Sequence, residues 1–382
     1  MSKKNFLTVV VSTSVTVIIC YFIFFLKIYY KDLHQHPYRF TSTNTLNFNK
    51  KYYKKFHHLR DVNGRWEEVN KPENYLFTII NNFSANKKNI LLQGDSWMEQ
   101  MIENNYKKSH KLIYNFVKKK NFGLINAGVT SFSPSLMQLQ YEVLEKDFKI
   151  KPNIVIAYID QTDIGDELCR YKDKRVYNEN NKLISIKKES FSRSTYDYTK
   201  IFYISEIVLS NESTLKKNYK LTNFYIKYEF YRLINKIKSI KNNGWKNRDL
   251  TKCKFREIRK YLIKSNSDEI AYFENRVKDY INLLLNKSYI EKIILVTFPH
   301  HDHVFGYSTL DNKKKYYEIN VSNIIDGIIK NNNKIYHLNF SKLILDKKID
   351  FEKDFYFGDS ASHLKEGFHS NIFTKNIIDV LK

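Results

Sequence analysis

Ile90-Leu-Leu-Gln-Gly-Asp-Ser96-Trp97 is the stretch whose reading decides the fold. A short apolar run breaks at Gly94 into Asp-Ser, and a helix-compatible stretch, Met98 to Val117, follows directly. Strand, glycine turn and helix in that order put the Ser96 hydroxyl at the carboxyl end of a strand. There the helix dipole and first-turn N–H groups favour developing negative charge. Read by itself, Gly-Asp-Ser is more often a turn whose serine caps a helix. Segments further along the chain separate the two readings.

Three of them continue a strand-and-helix alternation. Leu124-Ile-Asn-Ala-Gly128-Val-Thr-Ser131 runs into a glycine turn and a helix from about Ser133 to Lys146. Asn153-Ile-Val-Ile-Ala-Tyr-Ile-Asp160-Gln161-Thr162-Asp163 reads as a buried strand ending in polar residues. Gly358-Asp359-Ser-Ala-Ser-His363-Leu-Lys-Glu-Gly367 lies near the C-terminus, ahead of a last helix. Ile293 to Phe298 and Lys334 to Leu338 supply two further strands, with a crossover helix over Tyr316 to Ile329 between them. Strands alternating with helices predict a parallel sheet covered on both faces.

In their order, these blocks resemble the SGNH or GDSL hydrolase superfamily. The resemblance covers about Asn89 to Gly165 and again from about Ile290 to the end. It implies a flavodoxin-like three-layer α/β sandwich with a parallel sheet. It also implies Ser96 as nucleophile, His363 as general base and Asp359 as the acid that orients it. The backbone N–H groups of Ser96 and Gly128 would hold the oxyanion. A block-three asparagine would be the third donor, but this chain has Asp160-Gln161-Thr162-Asp163 there. Thr162 takes that position, or Gln161 with a one-residue shift. Asp359 precedes His363 by four residues where the family spacing is three. His369 is the rival histidine, read as a cap or a solvent-facing residue of the last helix. The activity implied is cleavage or transfer of an ester-linked acyl group, on a cell-envelope glycan or lipid, without a cofactor. A silent domain that binds glycan or a membrane partner is the alternative.

The 382-residue chain carries a formal charge of +24. Its lysines are scattered among Asn, Ile, Tyr and Phe, and no nucleic-acid-binding motif accompanies them, so no nucleic-acid partner is expected. Phe6 to Leu26 is uncharged and at about 1.5 Å per residue would reach roughly 30 Å as a helix, the thickness of a bilayer core. It is read as an uncleaved anchor (1–27), followed by a stalk and extension (28–88) and the hydrolase domain (89–382). That domain is expected outside the cytoplasm. A large insertion, about 166–266, follows the third strand and is open to reading as a lid or as a plain structural addition. It contains a hairpin over Arg175 to Ile186 and a helix over Asn223 to Ile240. After it, Ile270, Phe273, Val277, Ile281 and Leu284 share one face of a helix capped by Ser267.

Other polar residues are read more plainly. Pro299-His300-His301-Asp302-His303 is the densest cluster of metal-type ligands, but neighbouring loop positions rarely converge on one ion, and no metal is expected. Asp95 is read as structural, Trp97 as core or as a wall of the acyl pocket, and Asp163, Asp166 and Glu167 as solvated loop charge. Cys169 and Cys253 are read as two unpaired thiols, with a disulfide as the alternative.

Overall fold

The computed structural model describes residues 9, 11–16, 18–19, 23, 42–56, 76–101, 106–187, 193–241, 267–298, 321–330, 332–346 and 364–382. The chain divides into two compact units, Met1–Lys50 with Arg193–Asn247, and Lys51–Ser192 with Arg248–Lys382.

The larger unit holds a six-stranded sheet: β1 (Thr78–Asn81), β2 (Asn89–Gly94), β3 (Gly123–Gly128), β4 (Ile154–Tyr158), β7 (Lys292–Thr297) and β8 (Ile335–Asn339). Its spatial order is β1-β3-β2-β4-β7-β8. The last five strands are parallel, and β1 joins the β3 edge antiparallel. Without β1 the order is second, first, third, fourth, fifth, the flavodoxin-like arrangement. In it the first parallel strand, β2, stands between the second and third, where the direction of winding reverses. Ligands of such sheets bind outside the carboxyl ends of the strands at that reversal.

β2, β3, β4 and β7 are mostly apolar and buried on both faces, as a doubly covered sheet requires, while the edge strands β1 and β8 are only partly buried. Ile90, Leu92, Ile154, Ile156, Ile294 and Val296 point to one face. There they pack with Ile113 and Val117 of α2 (Lys107–Lys119) and Ile377 and Leu381 of the C-terminal helix (Lys375–Leu381). Each such side chain taken fully from water contributes about 1.5–3 kcal/mol. The opposite face is fixed by a polar thread. Gln93 Nε2 donates to Gln140 Oε1 of α3 (Pro134–Phe148) at 2.8 Å, and Tyr280 of α4 (Ser267–Leu285) donates to Gln93 Oε1 at 2.9 Å. Helices therefore cover both faces, giving three layers. The predicted apolar stripe of α4 is buried at Phe273, Val277, Ile281 and Leu284.

Three regions refine the sequence expectations. The stretch Met98 to Val117, predicted as one helix, is described as α1 (Ser96–Gln100) and α2, with 102–105 outside the described residues. The predicted hairpin is present as β5 (Arg175–Tyr177) and β6 (Leu183–Ile186), and Lys182 pairs with Glu142 of α3. In the smaller unit, helices Arg193–Leu209 and Thr214–Lys241 bury Ile204, Ile207, Leu221 and Tyr225 together, with Tyr203 stacked on Phe224 at 4.4 Å. Among the described residues no helix is long and apolar enough to cross a membrane, and most of the 6–26 run lies outside them.

Candidate active site

The Ser96 elbow is a backbone device. Gly94 ends β2 with φ +145°, a conformation that side chains resist. A Cβ there would also lie 2.8 Å from Tyr158 Cβ. The next residue, Asp95, is the helix N-cap. Its Oδ1 accepts the Trp97 N–H at 2.9 Å, and its backbone carbonyl accepts the Glu99 N–H at 3.1 Å. Asp95 is thus structural, as expected, and Ser96 is the first helical residue rather than the cap. Trp97 is core: it lies 4.5 Å from Phe298, 5.3 Å from Phe373 and 5.5 Å from Tyr158, centroid to centroid.

Gly128 comes to the same place. It pairs in register with Gly94, and Val129 N–H donates to the Gly94 carbonyl at 2.9 Å. The first turns of α1 rest on it so closely that a Cβ would meet Glu99 N at 2.4 Å. Its N–H donates to Asn126 Oδ1 at 2.8 Å, while Asn126 Nδ2 donates to the Met98 carbonyl at 2.6 Å.

The end of β4 closes the other side of the reversal. Asp160 Oδ1 accepts both the backbone N–H and the hydroxyl of Thr162, each at 2.7 Å, so the threonine proton is engaged within the turn. Gln161 is buried, and neither Nε2 nor Oε1 of its side chain has a hydrogen-bond partner among the described residues. A buried amide left unpaired costs on the order of 1–3 kcal/mol. Gln161 is therefore the residue at this edge with donor capacity unspent.

The acidic run after β4 is not solvated, contrary to the sequence reading. Asp163, Asp166 and Glu167 are all buried because each has found protein partners. Asp163 Oδ2 accepts the Asp160 N–H at 3.1 Å, and Arg170 pairs with Asp166 at 3.0 Å. Glu167 accepts from Ser133, Ser135 and Arg175. Burial, then the charges of Asp160, Asp95 and Asp166, push the Asp163 carboxyl well above the usual carboxylate range. Burial and then Asp160 raise Asp95 likewise. A neutral acid is the natural answer to several carboxyls sharing one dry corner.

His363 and Asp359 lie outside the described residues, as does the 299–303 cluster. The residue after His363 is described. Leu364 is fully buried in the same apolar cluster as Trp97, and its carbonyl accepts from Tyr106 Oη at 2.8 Å. Two residues on, Glu366 Oε1 accepts the Lys108 N–H at 2.6 Å. The C-terminal block is thereby tied to the helix that follows the serine. His369 departs from expectation: it is buried, not solvent-facing, and bonds to Ser109 and Trp97. Cys169 is disulfide-bonded, which corrects the reading of two unpaired thiols; Cys20 and Cys253 lie outside the described residues. Among the described residues no group of three or more His, Cys, Asp and Glu could hold a metal.

No protein-family model matches the chain, and no curated protein matches it in sequence. Two solved variants of an acetylxylan esterase from Geobacillus stearothermophilus are similar to it in structure. A catalytic mutant is 10% identical with a TM-score of 0.34. The other variant is 12% identical with a TM-score of 0.36. Each covers 76% of this chain and 94% of its own. A likeness at such TM-scores carries no inference about chemistry.

Proposed function

We propose that the chain is a serine ester hydrolase or O-acyltransferase with Ser96 as nucleophile and His363 as base. One observation carries the reading. Ser96 begins a helix at the carboxyl end of β2, at the winding reversal, and the residue following His363 is buried in the cluster that holds Trp97. The C-terminal block of the resemblance thereby reaches the layer that carries the serine.

In the proposed reaction His363, oriented by Asp359, takes the Ser96 proton as Oγ adds to the ester carbonyl. The tetrahedral oxyanion is held by the Ser96 N–H and by the Gln161 amide, whose donor is unspent; Thr162 is the less favoured third donor because its hydroxyl serves Asp160. Gly128 N–H contributes by sharing between Asn126 and the oxyanion. Collapse expels the alcohol, which receives the proton from His363. Water then releases the acid, or a sugar hydroxyl takes the acyl group. The 6–26 run is proposed as an anchor that keeps the domain outside the cytoplasm, near glycan or lipid esters.

A second reading, an SGNH-like domain that binds without catalysis, is favoured by the engagement of both Gly128 N–H and Thr162 Oγ1 with protein acceptors. Hydrolysis of p-nitrophenyl acetate by the full chain discriminates the two. The enzyme reading expects turnover that Ser96→Ala abolishes while circular dichroism is unchanged. No turnover in the wild type favours the second reading, and turnover that survives in the variant overturns Ser96 as the nucleophile.

A further inference from the structure

We infer that His369 is a positioning residue for the serine elbow, a role that rests on Ser96 being the nucleophile. α1 is only five residues long, so its internal hydrogen bonds are few and its orientation depends on outside contacts. Trp97, the residue after the nucleophile, is held at both of its backbone polar groups. Its N–H goes to Asp95 Oδ1 at 2.9 Å, and its carbonyl faces His369 Nε2 at 3.3 Å. The usual i+4 partner of that carbonyl would be the Met101 N–H, which closes on Met98 O instead at 3.3 Å.

The tautomer follows from the partners. A carbonyl can only accept, so Nε2 carries the proton. Nδ1 lies 2.8 Å from Ser109 Oγ, and Thr374 Oγ1 stands 3.4 Å away. Tyr106 at 4.9 Å and Phe373 at 5.0 Å, centroid to centroid, enclose the ring. Ser109 belongs to α2, His369 to the segment that follows the His363 block, and Trp97 to the elbow. One ring thus bridges the chain segments that would carry nucleophile and base. Its action on Ser96 is through the Trp97 peptide, not on substrate.

Glutamine and asparagine divide the two ring nitrogens. The Gln amide reaches the Nε2 position and can still donate to the Trp97 carbonyl; the Asn amide reaches only the Nδ1 position. The full chain and its His369→Gln and His369→Asn forms would be compared by fluorophosphonate labelling rate per folded molecule and by kcat and KM for p-nitrophenyl acetate. The inference expects His369→Asn to lose about tenfold or more in labelling rate and kcat, with KM within about twofold, since misplacing a reacting group by about 1 Å can cost on the order of 100-fold. His369→Gln should recover to within about threefold of wild type. Equal rates in the two variants, whether both fast or both slow, would overturn it. A wild type that labels at Ser96 with both variants unimpaired sinks the positioning role alone; a wild type that never labels sinks the nucleophile reading as well.

Discussion

Replacing Gly128 by alanine should disturb the serine elbow from beneath. The new Cβ would lie 2.4 Å from Glu99 N, 2.7 Å from Met98 C and 2.7 Å from Met98 Cβ. Ordinary contact begins at 3.4 Å, so α1 must retreat by about 1 Å (3.4 − 2.4). Two of the three opposing atoms are backbone, and no side-chain rotation relieves them. Overpacking of this kind typically costs about 1–3 kcal/mol, and the upper end is expected because α1 is pinned by Asp95 and His369. A displacement of about 1 Å at Ser96, the proposed nucleophile, adds a rate loss on the order of 100-fold. Urea unfolding gives the first quantity, and fluorophosphonate labelling of the folded fraction gives the second. Gly327→Ala is the control, since nothing lies within 4 Å of a Cβ there. A Gly128→Ala protein within about 0.5 kcal/mol of wild type, a margin ordinary for surface changes, and labelled at the wild-type rate, would refute the reasoning.

Two further outcomes are expected. Gln161→Ala should lower kcat by on the order of 100-fold or more, the cost of one oxyanion donor, whereas Thr162→Val should cost less because its hydroxyl serves Asp160; kcat values in the reverse order would return the third donor to Thr162. The raised Asp163 carboxyl gives a pH-dependent prediction. A group whose folded pKa is raised stabilises the fold below its unfolded pKa and loses that contribution as pH rises through the folded value. Asp163→Asn, which mimics the neutral acid and keeps an acceptor for the Asp160 N–H, should therefore gain Tm relative to wild type as pH rises from about 4 to 8. A Tm difference that is flat or shrinks with pH would show that Asp163 is ionised in the fold.

The parallel strands could be read from the chain because each is a compact apolar run ending in Gly or a polar cluster. In β2, β3, β4 and β7, burial on both faces leaves no alternation to confuse them with half-exposed strands. β1 was hidden for the opposite reason: Thr78-Ile-Ile-Asn is four residues long on a sheet edge, with Ile79 exposed, and lies in a span read as stalk. The acidic run after β4 was misread because the partners of Glu167 (Ser133, Ser135 and Arg175) are set by the packing of α3 and the hairpin, not by local sequence. His369 was misread because a histidine close behind Gly367 looks like a helix end. Its partners, Ser109 and Trp97, are about 260 and 272 residues away along the chain. The Ser96 elbow and Gly128 were legible because their chemistry is local backbone geometry. Gln161 was not separable from Thr162, since only the fold reveals that Asp160 claims the threonine hydroxyl.

The pairing of Ser96 with His363 is the centre of the account, and covalent labelling reaches it most directly. The full chain would be treated with a fluorophosphonate, digested, and the modified residue located by mass spectrometry, alongside Ser96→Ala and His363→Gln. The account predicts a single modified serine, Ser96, with labelling abolished in Ser96→Ala and slowed by at least about 1000-fold without the base, in keeping with the effect of removing triad members. Labelling at another residue, or at Ser96 with an undiminished rate in His363→Gln, would contradict it.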